Sequence, residues 1–242
     1  MPFEYFKPCA ELSSYIHSYW TLKGAEGTFD VLYPDTCVDI VVNMGERFAT
    51  NQQNVVLEMQ KVYLGGTLTE AIYEKIPEGV YLLGVRFLPG CFGCFYPPCL
   101  LGDMRDGCIE LSEDFLPPLP ALVQNPLAAL DVFFCRKIRS FHNPIKDAVD
   151  KIKQSGGNIP LTEIAATCNK SPRQTERLFK QHVGLTPKQF CKIVKYTQVH
   201  KLLAAKKPTD TLLGLALETG YYDHAHLTKQ FKKITRNTPS GK

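Results

Sequence analysis

Residues 169–187 read NKSPRQTERLFKQHVGLTP and carry signals for one short helix with both ends marked. Ser171 suits the N-cap, where a side-chain oxygen accepts from free N–H groups of the first turn; Pro172 suits the first helical position, where no N–H is needed. Gly184 suits the left-handed residue that closes a helix, and Thr186-Pro187 repeats the start signal. Thr175, Leu178, Phe179 and His182 fall on one stripe, while Arg173, Gln174, Glu176, Arg177, Lys180 and Gln181 fall on the other. The second face holds side chains that read bases and bind phosphates, yet a solvated surface helix has the same composition. Its surroundings decide between the two.

A long helix is predicted from Pro187 to about Lys206, with Phe190, Val194, Thr197 and Leu202-Leu203 on one line and Pro208 ending it. The pattern then returns. A short helix over Thr211 to Glu218, a turn at Gly220 and a helix from His224 to Lys233 capped by Asp223 match the first copy, in which Leu161 to Cys168, capped by Thr162, precedes the opening stretch. Ser171 to Phe179 and Asp223 to Phe231 are each eight residues, both Phe are followed by Lys, and a Thr-Pro pair follows each at the same distance. This is an internal repeat of a helix-turn-helix unit at an interval of 52 residues. A connecting helix of about 20 residues spans about 30 Å, close to the roughly 34 Å that brings a major groove back to the same face of DNA, so one chain can read two groove segments.

Charge separates the same region from the rest. Residues 1–142 hold 10 Lys+Arg against 17 Asp+Glu, a balance of −7, and residues 143–242 hold 18 against 7, a balance of +11. A basic half of this size is the electrostatic footprint of a nucleic-acid-binding module, because phosphate neutralisation supplies most sequence-independent affinity. His142-Asn143-Pro144 marks the boundary, with a capping Asn before a Pro and a helix from Ile145 to Gln154 that ends at Gly156-Gly157. Two domains are therefore expected, 1–142 and 143–242. The fold class is α+β: a β-rich, barrel-like domain, then an all-α domain of two helix-turn-helix units joined by a long helix.

In the acidic half, Glu11 to Trp20 reads as a short helix running into a strand through Leu22. Phe29 to Tyr33 and Val38 to Met44 are rich in β-branched and aromatic residues and are split by Pro34-Asp35-Thr36, which predicts a hairpin. Further strands are predicted at Val55 to Met59, Lys61 to Leu64, Leu68 to Tyr73 and Val80 to Leu88. A helix from Pro126 to Ser140 carries Leu127, Leu130, Phe134 and Ile138 at helical spacing, read as core in preference to a dimer face.

The residues of the basic half resemble those of the AraC-type (AraC/XylS) transcription regulators. The resemblance covers about Asn143 to Lys242 and is carried by LTEIAATCNKSPRQTERLFKQHVGLTPKQF and LGLALETGYYDHAHLTKQFKKITRNTP. It implies that the groove-facing residues are Arg173, Gln174, Glu176 and Arg177 in the first unit and His224, Ala225, Thr228 and Lys229 in the second. Lys180, Lys188, Lys192, Lys195, Lys232 and Lys233 are better placed for phosphates, which position the protein without specifying sequence. One departure stands out: Arg236 occupies the place of the helix-ending Gly184 of the first copy, so a different exit turn is expected there. The acidic half resembles the β-rich N-terminal domain of some AraC-type proteins at Tyr19-Trp20, Pro34-Asp35 with Asp39 and Asn43, Gly65-Gly66 and Gly84 to Gly90. That implies effector sensing or dimerisation. Trp20, Tyr81 and Arg86 are the candidate pocket residues, with Arg86 expected to pair with a nearby carboxylate.

Partners follow from this reading: double-stranded DNA, a small-molecule effector, a second copy as homodimer, and RNA polymerase if the protein activates. No run is long and apolar enough for a membrane span, the start MPFEYFKPCAEL lacks a signal-peptide pattern, and a cytoplasmic location with reduced thiols is expected. Nine cysteines are present, of which Cys91, Cys94, Cys99 and Cys108 have the spacing C-x2-C-x4-C-x8-C. That spacing can supply four thiolates to zinc, but only the first pair has the usual form, and free cysteine among Phe92, Phe95, Tyr96 and Leu100 packs as a small hydrophobe. No P-loop, GxSxG or HExxH motif occurs, and on a helix the side chains of His224 and His226 diverge by about 200°. No catalytic residue, metal ligand or cofactor is assigned. The alternatives are a small-molecule or thiol-redox module tethered to DNA, and a cysteine-based alkylation-response protein.

Overall fold

The structure is a computed structural model that describes residues 3–52, 55–97, 101–102, 104–138, 143–205 and 211–239. The N-terminal half forms strands β1 (Phe3–Phe6), β2 (Ile16–Lys23), β3 (Phe29–Leu32), β4 (Val38–Asn43), β5 (Phe48–Ala49), β6 (Val56–Leu57), β7 (Val62–Gly65), β8 (Ile72–Lys75), β9 (Tyr81–Phe87) and β10 (Cys108–Leu111). Six of them make an antiparallel sheet in the order β1-β2-β9-β4-β7-β10, and β3-β8 and β5-β6 form separate ribbons. The sheet is not closed by hydrogen bonds between its edges among the described residues; sheet and ribbons together give the barrel-like enclosure.

Period-two alternation sends the two faces of the sheet to different duties. Val38, Ile40 and Val42 of β4 and Leu83, Val85 and Phe87 of β9 point into a core with the turn at residues 91–96 and helices α1 (Leu119–Gln124) and α2 (Pro126–Lys137). Phe87 lies 5.5 Å from Phe92, 5.5 Å from Phe95 and 5.7 Å from Phe134, an aromatic cluster in which each buried ring contributes about 1.5–3 kcal/mol. Leu130 and Phe134 make α2 a core helix, as its spacing predicts. The other face carries Trp20, Leu22, Tyr63 and Leu82 toward the ribbons.

The predicted hairpin between residues 29–33 and 38–44 does not form. β3 pairs with β8, and β4 lies between β9 and β7. The connection turns away at Thr36, whose φ is 71°, with the Asp35 carboxylate accepting from the Cys37 N–H at 3.0 Å. Asp35 and Asp39 both hold Arg86, which sits on β9, so their charges are balanced only if β4 lies beside β9. The strand predicted at residues 68–73 begins later, at Ile72.

The C-terminal half is helical: α3 (Lys146–Gln154), α4 (Leu161–Thr167), α5 (Pro172–Val183), α6 (Pro187–Ala204), α7 (Leu212–Glu218) and α8 (His224–Thr235). α4 is preceded by Pro160 at its N-cap, so Thr162 lies inside the first turn and does not cap it. α6 runs through two small cores. Phe190 and Val194 pack with Ile152, Phe179 and Val183, and Tyr196 and Val199 pack with Ala216, Leu227 and Phe231. The boundary predicted at His142 and the helix end at Pro208 lie outside the described residues. No described helix is long and apolar enough to cross a membrane.

Candidate nucleic-acid interface and the cavity behind it

α5 is built as its sequence announces. Ser171 Oγ accepts from the Gln174 N–H at 3.3 Å, the Gln174 carbonyl accepts from the Ser171 N–H at 3.0 Å, and Gly184 closes the helix at φ 79°. Thr175, Phe179 and His182 are buried, with the Phe179 ring 5.8 Å from Phe190. That anchoring turns Arg173, Gln174, Glu176, Arg177 and Lys180 to solvent. The carbonyl of Gln174 is used by the cap, which leaves its amide NH2 for a base. α8 repeats the plan. Asp223 Oδ1 accepts from the His226 N–H at 2.7 Å, Leu227 and Phe231 are buried, His224, Ala225, Lys229, Lys232 and Lys233 are exposed, and Thr228 is half-buried.

On α6, Lys188 and Lys192 are exposed. Lys195 differs from the reading that grouped it with them: its ammonium lies 5.7 Å over the Tyr221 ring and 3.4 Å from the Gly220 carbonyl, and burial lowers its pKa. It bridges α6 to the turn of the second unit. His226 meets Tyr221 edge-on at 5.4 Å, and among the described residues no group of three His, Cys, Asp or Glu is placed to hold a metal ion.

The ends of both helices dock on the N-terminal half at equivalent positions. The Thr67 hydroxyl donates to the Val183 carbonyl, and the Tyr73 hydroxyl donates to the Thr235 carbonyl, 52 residues further on. Each helix therefore has a free C-terminal carbonyl satisfied from the segment that leads from β7 into β8. Around the second end, the Ala71 N–H donates to the Ile234 carbonyl at 2.7 Å, Asn237 Nδ2 donates to the Tyr73 oxygen at 2.8 Å, and Arg236 lies 3.8 Å from Glu70. Arg236 takes the left-handed conformation, φ 62°, so the exit turn keeps the form of the first copy despite the change from Gly. Nothing in the local sequence announces this docking.

Between the halves lies a cavity of about 640 Å³. Trp20 and Arg86 line it as expected, but Tyr81 does not. Tyr81 and Arg86 are five positions apart on one strand, an odd number, so their side chains face opposite sides of the sheet. Trp20 is directly across from Gly84, where an added Cβ would lie 2.0 Å from the indole; the missing side chain lets the ring cross to Asp39, to which its Nε1 donates at 2.7 Å. Arg86 pairs with Asp35 at 2.8 Å and with Asp39 at 3.1 Å, as its expected carboxylate partnership required. Burial works against the guanidinium charge, and Asp39 and Asp35 more than offset it, so the pKa is raised.

The C-terminal half contributes Tyr196, Thr197, His200 and Lys201 of α6 to the cavity wall. The His200 ring lies 4.6 Å from the Tyr33 ring, tilted by 47°. Sequence reading finds a histidine within the expected barrel only at His17; that α6 supplies another from outside appears only in three dimensions. Cys91 and Cys94 are buried in the aromatic core, where the Cys91 thiol donates to the Ser14 carbonyl at 3.7 Å; Cys108 lines the cavity, and Cys99 lies outside the described residues. A pair without a sequence signal, Cys9 and Cys135, has sulfurs 3.6 Å apart.

Residues 164–241 match the Helix-turn-helix domain family, and residues 4–110 match a domain of unknown function, DUF6597. An uncharacterized HTH-type transcriptional regulator of Haemophilus influenzae is 30% identical over 89 residues, 37% of this chain and 29% of that protein. The HTH-type transcriptional regulator MtrA of Neisseria gonorrhoeae is 34% identical over 79 residues, 33% of this chain and 26% of its own length. The chain thus spans less than a third of these relatives. The XylDLEGF operon transcriptional activator 3 of Pseudomonas putida is 20% identical over 93% of the chain and 68% of its own length. Among solved structures, unsaturated fatty acid bound ToxT from Vibrio cholerae shares the fold over 92% of both chains, with a TM-score of 0.50 at 10% identity. Residues 164–241 thus form a helix-turn-helix domain, and residues 4–110 before it belong to a domain family of unknown function.

Proposed function

We propose that the whole protein is a sequence-specific transcription regulator, in which α5 and α8 enter two successive major-groove segments and the N-terminal domain senses a small molecule. In this reading Arg173 and Arg177 fork onto guanine, Glu176 accepts from cytosine N4, and Ala225 or Thr228 meets a thymine methyl, with Gln174, His224 and Lys229 beside them. Lys180, Lys188, Lys192, Lys232 and Lys233 take phosphates. The observation that carries the reading is the repeated geometry: two capped helices, equivalent at 52 residues, bury the same stripe and leave a polar face exposed in a half with a charge balance of +11.

The division at residue 142, a cytoplasmic setting, and an RNA polymerase contact in the case of activation all rest on this reading. A second copy as homodimer belongs to the same reading. The effector part draws on the cavity, and the fatty acid bound to ToxT, a protein of the same fold, supports a small-molecule occupant.

Footprinting and gel shifts against the DNA upstream of its own coding region test the proposal. Protection over two segments about one helical turn apart is expected, with affinity falling steeply as salt rises. A folded protein with no sequence selectivity at any salt overturns it.

A further inference from the structure

The cavity is unequal in charge. Arg86 is the guanidinium in its wall, and it is engaged by both Asp35 and Asp39. On the ribbon side, Asp30 of β3 and Glu74 of β8 are direct cross-strand partners, and both line the cavity. Like charges placed directly opposite destabilise a strand pair, yet none of the ion pairs among the described residues involves either carboxylate. Glu74 is only 4% exposed; its Oε1 accepts from the Thr50 hydroxyl and from the Asn51 N–H at 2.8 Å, bonds that hold the carboxylate without cancelling its charge.

The remaining wall is largely apolar, and aromatic rings take a large share of it. Phe3, Tyr5, Trp20, Phe29 and Tyr33 present rings to the cavity, and ring faces attract cations. From the C-terminal side comes Tyr196, whose buried hydroxyl has no hydrogen-bond partner among the described residues. A volume of about 640 Å³ suits an organic molecule and is far larger than a bare ion needs. An anionic amphiphile entering here meets Asp30, Asp35, Asp39 and Glu74 against Arg86 and Lys201.

We infer that the cavity is a binding site for a hydrophobic organic cation, its positive charge set against Asp30 and Glu74 and its apolar body among the rings around Trp20. This rests on reading the N-terminal domain as a sensor, and it names the ligand class. The ligand touches both halves, because β8 carries Glu74 one position from Tyr73, which holds the end of α8, and α6 supplies Tyr196 and His200.

Trp20 is the only tryptophan, so its emission reports occupancy of the full-length chain directly. Tetraphenylphosphonium and tetraphenylborate have the same shape and opposite charge, and oleate adds a fatty-acid arm. Saturable change with the phosphonium is expected, at least tenfold tighter than with borate or oleate. Glu74→Gln keeps an oxygen for Thr50 and Asn51 and weakens phosphonium binding at least tenfold; Asp30→Asn does the same and decides the matter if the first variant misfolds. Borate or oleate binding as tightly as the phosphonium, no saturable phosphonium binding, or folded variants that bind like the parent overturn the inference. The footprint is read on the same protein. A retained footprint without phosphonium binding sinks the ligand assignment alone, and a lost footprint sinks the regulator reading while the titration still judges the cavity.

Discussion

In the first helix-turn-helix unit, α5 is closed at both ends by its own residues: a reciprocal Ser171-Gln174 box opens it and Gly184 ends it. In the second, α8 has a single Asp223 cap, and Arg236 stands in the left-handed position, surrounded by contacts from Glu70, Ala71 and Tyr73. The same 52-residue register is thus closed by local chemistry plus one outside hydrogen bond, from Thr67, in the first unit, and by fewer local devices plus contacts from Glu70, Ala71 and Tyr73 in the second. Autonomy of a motif, then, cannot be inferred from its repeat.

The largest difference is expected in the cores. Phe179 is fully buried against Phe190, whereas Phe231 keeps 9% exposure beside Tyr196. Phe179→Ala should cost about 3–5 kcal/mol and Phe231→Ala an amount at or below the low end of that range, measured by urea unfolding of the full chain. Equal losses would show that the second unit is packed as tightly as the first, and the contrast would fall.

Next in size is the division of labour on DNA. Arg177→Ala should relax preference at its base pair by about 1–3 kcal/mol, while Lys188→Ala weakens all sequences alike and lowers the salt slope by about one. Competition gel shifts with single-base operator variants read both. Uniform loss for both variants would remove Arg177 from the base-reading set.

How much of this the chain announces depends on the range of the interaction. Ser171, Pro172, Gly184, Thr186 and Asp223 act within one helical turn, so caps and helix ends are readable from neighbours in sequence, and the observed helices follow them. The acidic half is held by partners far apart: Arg86 with Asp35 and Asp39, Asp30 across from Glu74, Trp20 over Gly84. The hairpin expected around Pro34 failed for that reason, since nothing local says that β3 will choose β8. Tyr81 was a different error, because the alternation along β9 was legible and assigns it to the face away from Arg86. His200 and Lys195 needed the docking of domains and helices to be placed.

The smallest effect bears most directly on how the second unit is held. At Gly184, φ is 79° and a Cβ would lie 3.0 Å from the Leu101 carbonyl oxygen, so Gly184→Ala should destabilise by about 1–2 kcal/mol. Arg236 already accepts the left-handed strain at φ 62°. Arg236→Gly relieves about 1 kcal/mol of it but gives the unfolded chain more freedom, and the exposed Glu70 contact adds little, so the net change should stay within about 0.5 kcal/mol. Tyr73→Phe should then sharpen the comparison. It removes the hydroxyl that serves Thr235 and Asn237, costs about 1 kcal/mol, and should make Arg236→Gly more favourable, because a turn no longer held from outside gains more from a residue that adopts it unaided. A double-mutant cycle with additive values would mean that Tyr73 and the turn are independent, and that α8 keeps its ending by a means of its own.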